Sequence, residues 1–67
     1  MLMTQYGNTV NPETTVYDTV SGQIIGAHCR RFVDGKVRYY RIDQLRHVDG
    51  LNGVIACLEA APKKITE

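Results

Sequence analysis

The sequence is short of most features that would announce a chemistry. It carries two cysteines and two histidines in 67 residues. Two cysteines are too few to staple a small secreted scaffold, so Cys29 and Cys57 read as reduced, small apolar side chains. No C-x-x-C or H-x-x-x-H spacing gathers His28, Cys29, His47 and Cys57 into a zinc-ligand pattern. Neighbouring strand residues point to opposite faces, so His28 and Cys29 do not serve one ion without a bulge. The seven carboxylates lie scattered over turns and ends, and no nucleophile, base and orienting group stand at a recognisable spacing. No metal, cofactor or catalytic residue is expected, and an enzyme is disfavoured. Apolar runs such as Val54 to Leu58 fall far short of the ~20 residues of a membrane span. Met1-Leu2-Met3 runs straight into Thr4-Gln5-Tyr6-Gly7-Asn8, without the basic start and apolar core of a secretory signal. A cytoplasmic protein without a membrane partner is the expectation.

What is there suits one small folded domain spanning residues 1–67. The chain is 43% apolar and 22% charged, near the globular average and far from disordered or coiled-coil composition. A chain of this length buries only ~60% of the surface exposed when unfolded. A core that small rarely suffices without a metal, a disulfide or a partner subunit, so homo-oligomerisation is expected. The net charge is +1, yet its distribution is uneven. Between His28 and His47 stand Arg30, Arg31, Lys36, Arg38, Arg41 and Arg46, with only Asp34 and Asp43 to oppose them. A basic centre therefore sits in an acidic frame.

Gly7-Asn8 and Asn11-Pro12 are turn signals, so residues 1–12 read as a loose N-terminal arm. The β-branched run in Thr14 to Val20 reads as a strand that Ser21-Gly22 breaks. Two further β-rich runs, Gln23 to Val33 and Lys36 to Leu45, flank Asp34-Gly35, a strong signal for a two-residue hairpin turn. With Val33 facing Lys36, the pairs are Phe32 with Val37, Arg31 with Arg38, Arg30 with Tyr39, Cys29 with Tyr40, His28 with Arg41 and Ala27 with Ile42. Period-two alternation then sorts the hairpin into a core face of Ile25, Ala27, Cys29, Tyr40 and Ile42 and an opposite face of His28, Arg30, Phe32, Val37, Tyr39 and Arg41. Beyond it, Leu45 and Val48 are expected in the core. Gly53 to Glu59 reads as another strand, ended by Pro62, and residues 62–67 as a frayed tail. The fold expected is all-β: a small bent sheet or partial barrel of four to five strands built on a central Asp-Gly hairpin.

The stretch Gly26-Ala27-His28-Cys29-Arg30-Arg31-Phe32, with Val37-Arg38-Tyr39-Tyr40-Arg41-Ile42-Asp43-Gln44-Leu45 and Val48, resembles the final hairpin of WYL domains. Its Arg-x-hydrophobic-Arg-Ile-Asp ending is also similar to that of the small Sm-like inhibitors of the termination factor Rho. The Trp-Tyr-Leu signature is absent where Ile25-Gly26-Ala27 stands, and Gln44 replaces the family's last arginine. Both likenesses imply an Sm-like or SH3-like barrel. WYL domains sense ligands or nucleic acid, whereas the inhibitors bind a protein.

The candidate binding face is His28, Arg30, Phe32, Tyr39 and Arg41. Guanidinium groups among flat rings suit phosphates and stacked bases, and equally the hot spots of a protein interface. A solvated face whose arginine stems cover apolar rings is the plainer reading. The small net charge favours a protein partner of the nucleic-acid machinery, with direct binding of single-stranded nucleic acid or a nucleotide ligand as the alternative.

Overall fold

A strand rich in threonine and valine lies at the centre of the fold. In the computed structural model, which describes residues 1–67, β2 (Thr9–Tyr17) is the longest strand and has neighbours on both edges. On one side lies β3 (Ile24–Arg31), followed by β4 (Val37–Arg41). On the other, β1 (Leu2–Thr4) pairs with the start of β2. β6 (Lys63–Thr66) pairs in parallel with its last four residues. β5 (Leu45–Arg46) completes the antiparallel order β4-β3-β2-β1-β5. The five strands curl into a half-barrel, as the bent-sheet expectation had it. The single helix, α1 (Leu51–Glu59), closes the concave side.

Two extra residues bend the sheet. Pro12 faces Cys29 and Thr14 faces His28, so Glu13 is bulged out of β2. Val16 faces Gly26 and Tyr17 faces Ile24, which leaves Ile25 as the extra residue of β3. Bulges increase local twist and re-aim side chains, and these two turn a flat sheet into a curl. They also correct the expected core face. Ala27 and Cys29 are fully buried and Tyr40 and Ile42 pack on the core, but Ile25 is 36% exposed and Ile24 packs in its stead.

The hairpin forms around Asp34-Gly35 but not as a two-residue turn. Gly26 pairs with Arg41, Ala27 with Tyr40, His28 with Tyr39, Cys29 with Arg38 and Arg30 with Val37. The register is displaced by two residues from that expected, and Phe32 to Gly35 form a four-residue loop. Gly35 has φ +69° while Asp34 does not enter positive φ, so the type I′ condition is not met. Asp34 instead accepts from the Lys36 backbone N–H at 3.0 Å and holds the Arg31 guanidinium. A shift of two keeps every side chain on its expected face. The second strand ends at Arg41, where a 3-10 turn over Ile42–Gln44 replaces the expected continuation to Leu45.

Three further expectations are overturned. Residues 1–12 are not a loose arm, because β1 and the start of β2 lie within them and bury Leu2, Thr4 and Val10. Residues 62–67 do not fray, because the Glu67 N–H donates to the Tyr17 carbonyl at 2.9 Å and the Thr19 N–H to Glu67 at 2.6 Å. The run Gly53 to Glu59 is helical: Val54 and Leu58, four apart, share the face that enters the core with Leu2, Val10, Ala27, Cys29 and Leu45. Burying two such side chains is worth about 1.5 to 3 kcal/mol each. The buried Thr15 hydroxyl donates to the Leu58 carbonyl and ties the helix end to β2. Leu45 of β5 is buried as expected, but Val48 beyond it is 87% exposed. The strand expected over Thr14 to Val20 stops at Tyr17, where Asp18 accepts from the Val20 and Ser21 N–H groups at 3.1 and 2.7 Å and turns the chain.

Candidate functional site

The hairpin register places His28 opposite Tyr39, as a pair whose backbone groups point away from each other and whose side chains therefore approach closely. Their rings lie 5.4 Å apart between centroids, tilted by 58°. This is a favourable aromatic geometry on the convex face of the sheet. Tyr39 leans along β4 so that its ring covers Gly26, and its hydroxyl makes a long, 3.4 Å contact with the Ile25 carbonyl at the bulge. The ring is thereby packed on its inner side while 40% of the residue stays exposed. Arg41 follows on the same face. Its Nε lies 3.1 Å from Asp43, and both side chains are largely in solvent. Such a pair contributes little and exchanges partners readily.

Arg30 shares this face, but its donors are engaged inside the molecule. Nε donates to Glu13 at 2.8 Å, Nη2 to the other carboxylate oxygen at 3.3 Å, and Nη1 to the Gly35 carbonyl at 2.6 Å. The Glu13 hydrogen bond holds the guanidinium even more firmly charged, and the same contact holds Glu13 below the ordinary carboxylate range. Arg30 thus braces the hairpin tip against the β2 bulge. Arg31 is likewise paired with Asp34.

Phe32 leaves the face altogether. It belongs to the four-residue loop, its N–H donates to the Thr9 carbonyl at 3.1 Å, and it is 69% exposed. Its side chain lines a shallow apolar groove of about 460 Å³ together with Met1, Pro12, Cys57, Ala61 and Pro62.

The structure therefore brings together three of the five expected residues, His28, Tyr39 and Arg41, engages Arg30 internally and moves Phe32 elsewhere. Sequence reasoning counted Asp43 among the opposing acids without pairing it to Arg41, and missed Glu13 as the acid that answers Arg30. It also missed Ile65 of β6, 40% exposed and level with Val16 on the convex face. The spacing of Asp43 two residues after Arg41 was a usable signal, whereas Glu13 reaches Arg30 only through the bulge. Lys36, Arg38 and Arg46 have no acidic partner. No cluster of three His, Cys, Asp or Glu side chains converges anywhere, and both cysteines are free thiols. No helix is long and apolar enough to cross a membrane. Family models, curated proteins and solved structures offer no match to this chain.

Proposed function

We propose that this chain is a non-enzymatic regulatory or accessory module that binds a protein partner of the nucleic-acid machinery through the convex face of β3 and β4. Tyr39 and Arg41 are the anchors, and His28 fixes the tyrosine from the side. The observation that carries this reading is the partly exposed Tyr39 ring, packed against His28 and over Gly26 beside the solvent-exposed Arg41. A preordered aromatic next to a replaceable arginine is the usual chemistry of an interface hot spot. The likeness of the hairpin to small Sm-like inhibitors of Rho supports the class of partner, and a cytoplasmic location belongs to the same proposal.

Internal pairing favours protein over nucleic acid. Of the six cations between His28 and His47, three are paired with Glu13, Asp34 and Asp43. The field left for a phosphate backbone is correspondingly weak. One observation favours the second reading: Lys63, Thr14, His28 and Tyr39 form one row across β6, β2, β3 and β4, a cation and a stacking ring on one face.

Binding of fluorescent single-stranded DNA and RNA by the purified chain separates the two. The protein reading expects no saturable binding even at low salt. Tight, salt-sensitive binding that Arg41→Ala and Lys63→Ala abolish would favour the second.

A further inference from the structure

The sheet ends on one side at β4, which pairs only with β3. The Arg31 N–H donates to the Lys36 carbonyl at 2.9 Å, and the Tyr40 carbonyl points across at Gly26. Antiparallel alternation then directs the backbone groups of Arg38 and Tyr40 inward and those of Val37, Tyr39 and Arg41 outward. The Arg41 N–H is taken by the Gln44 side chain at 2.9 Å. The Val37 and Tyr39 N–H groups have no partner within the chain. An open strand edge therefore runs beside the proposed binding face and is closed at one end by Gln44.

The side chains along this edge carry one sign of charge. Lys36 and Arg38 flank it on one face without an acidic partner, and Arg41 flanks it on the other in a solvent-exposed pair with Asp43. We infer that the β4 edge accepts an added strand from the protein partner, and that this strand is an extended acidic segment. Its main chain pairs with Val37 and Tyr39, and its alternate carboxylates meet Lys36 and Arg38 on one side and Arg41 on the other. The inference rests on the protein-binding reading above and specifies its partner.

Charge selects the occupant. A second copy of β4, paired about Tyr39, would bring Arg38 of each copy diagonally together on one face and add no carboxylate except Asp43, already beside Arg41. Like charges across a strand pair are destabilising, and cations on an edge are a common guard against self-pairing. Self-pairing through the two other runs that read as strands in the sequence is closed as well. The Thr14 to Tyr17 portion of β2 is paired on both edges, and Gly53 to Glu59 is a helix.

The test is a titration of the full ¹⁵N-labelled chain with a capped peptide of alternating glutamate and valine, about seven residues long to cover the strand at ~3.4 Å per residue. Saturable shifts along β4 are expected, with slowed exchange of the Val37 and Tyr39 amides. Val37→Pro removes one outward N–H without touching a bond to β3, and proline is tolerated on an edge. It should weaken the peptide about fivefold, as the loss of one backbone hydrogen bond predicts. Lys36→Glu with Arg38→Glu should weaken it at least as much and decides the matter if the proline variant does not fold. A peptide with lysine for glutamate, or one N-methylated at alternate residues, should not bind. Shifts confined to other elements, full-strength binding by both variants, or Val37 and Tyr39 amides already protected in a peptide-free dimer would overturn the inference. A natural partner that survives Val37→Pro and the double charge reversal but is lost with Tyr39→Ala would leave the face reading standing and the edge inference refuted.

Discussion

The ring of Tyr39 covers Gly26 so closely that a β-carbon on residue 26 would lie 2.5 Å from the tyrosine hydroxyl oxygen and would also collide with the Tyr40 carbonyl. The tyrosine tip could move aside, but the carbonyl belongs to the strand pairing and has little room to yield. Gly26→Ala should therefore destabilise the chain by about 1 to 3 kcal/mol, the usual range for overpacking. Urea unfolding measures it. Pairing with Tyr39→Ala should restore only part of the loss, because the backbone collision remains.

Acid should loosen the hairpin tip and the β2–β3 turn. Arg30 holds Glu13 below its ordinary range, Arg31 does the same for Asp34, and the Ser21 N–H does so for Asp18. A carboxylate depressed in the folded chain favours folding above its unfolded pKa, near 4, and that contribution is lost as pH falls through the folded value. Melting temperature against pH should therefore decline below about pH 4. Glu13→Gln with Asp34→Asn should give a shallower acid limb. Equal slopes in both proteins would contradict the pairing.

Helix α1 depends on a polar contact as well as on Val54 and Leu58. Thr15→Val keeps the shape and removes the hydroxyl that donates to the Leu58 carbonyl. That carbonyl still receives the Ala61 N–H at 3.2 Å, so the expected cost is that of one hydrogen bond, about 1 kcal/mol. Amide exchange should quicken first at Ala60 and Ala61, with the β3–β4 amides least affected.

The two thiols should differ in reactivity. Burial pushes the Cys29 thiol up to about 12, and the side chain is fully enclosed, whereas Cys57 is half-buried beside the apolar groove. Iodoacetamide at pH 8 should modify Cys57 first and Cys29 only on unfolding, as peptide mass mapping would show. The sign of the Cys29 shift also predicts a loss of stability as pH rises past the ordinary thiol range near 8.5, where the unfolded thiol ionises and the folded one does not. Cys29→Ala should remove that component.

The hairpin and its two faces were legible because a period of two survives a register displaced by two residues. His28, Tyr39 and Arg41 could be grouped from alternation alone. Phe32 was not, since its place depended on a four-residue loop in which Asp34 caps Lys36 and Arg31 instead of entering positive φ. The role of Arg30 was hidden by the Glu13 bulge, which no local pattern marks. Helix α1 was misread because Gly53 and the β-branched Val54 and Ile55 suggest a strand. The four-residue spacing of Val54 and Leu58 and the surrounding alanines carried the opposite signal. β1 and β6 escaped notice for another reason: strands of three and four residues owe their form to β2, a neighbour that is distant in sequence.

Under the proposed function, Tyr39 and Arg41 hold a protein partner. The most direct test is capture from nuclease-treated cell extract with immobilised wild-type chain and with the Tyr39→Ala, Arg41→Ala double variant, both verified as folded by amide dispersion. A defined protein retained by the wild type, reduced at least about tenfold on the variant and confirmed with purified components, is the expected result, as loss of two hot-spot side chains should cost more than 2 kcal/mol. The same proteins recovered equally on both chains, or retention seen only in extract that has not been treated with nuclease, would show that these two side chains do not hold a protein partner.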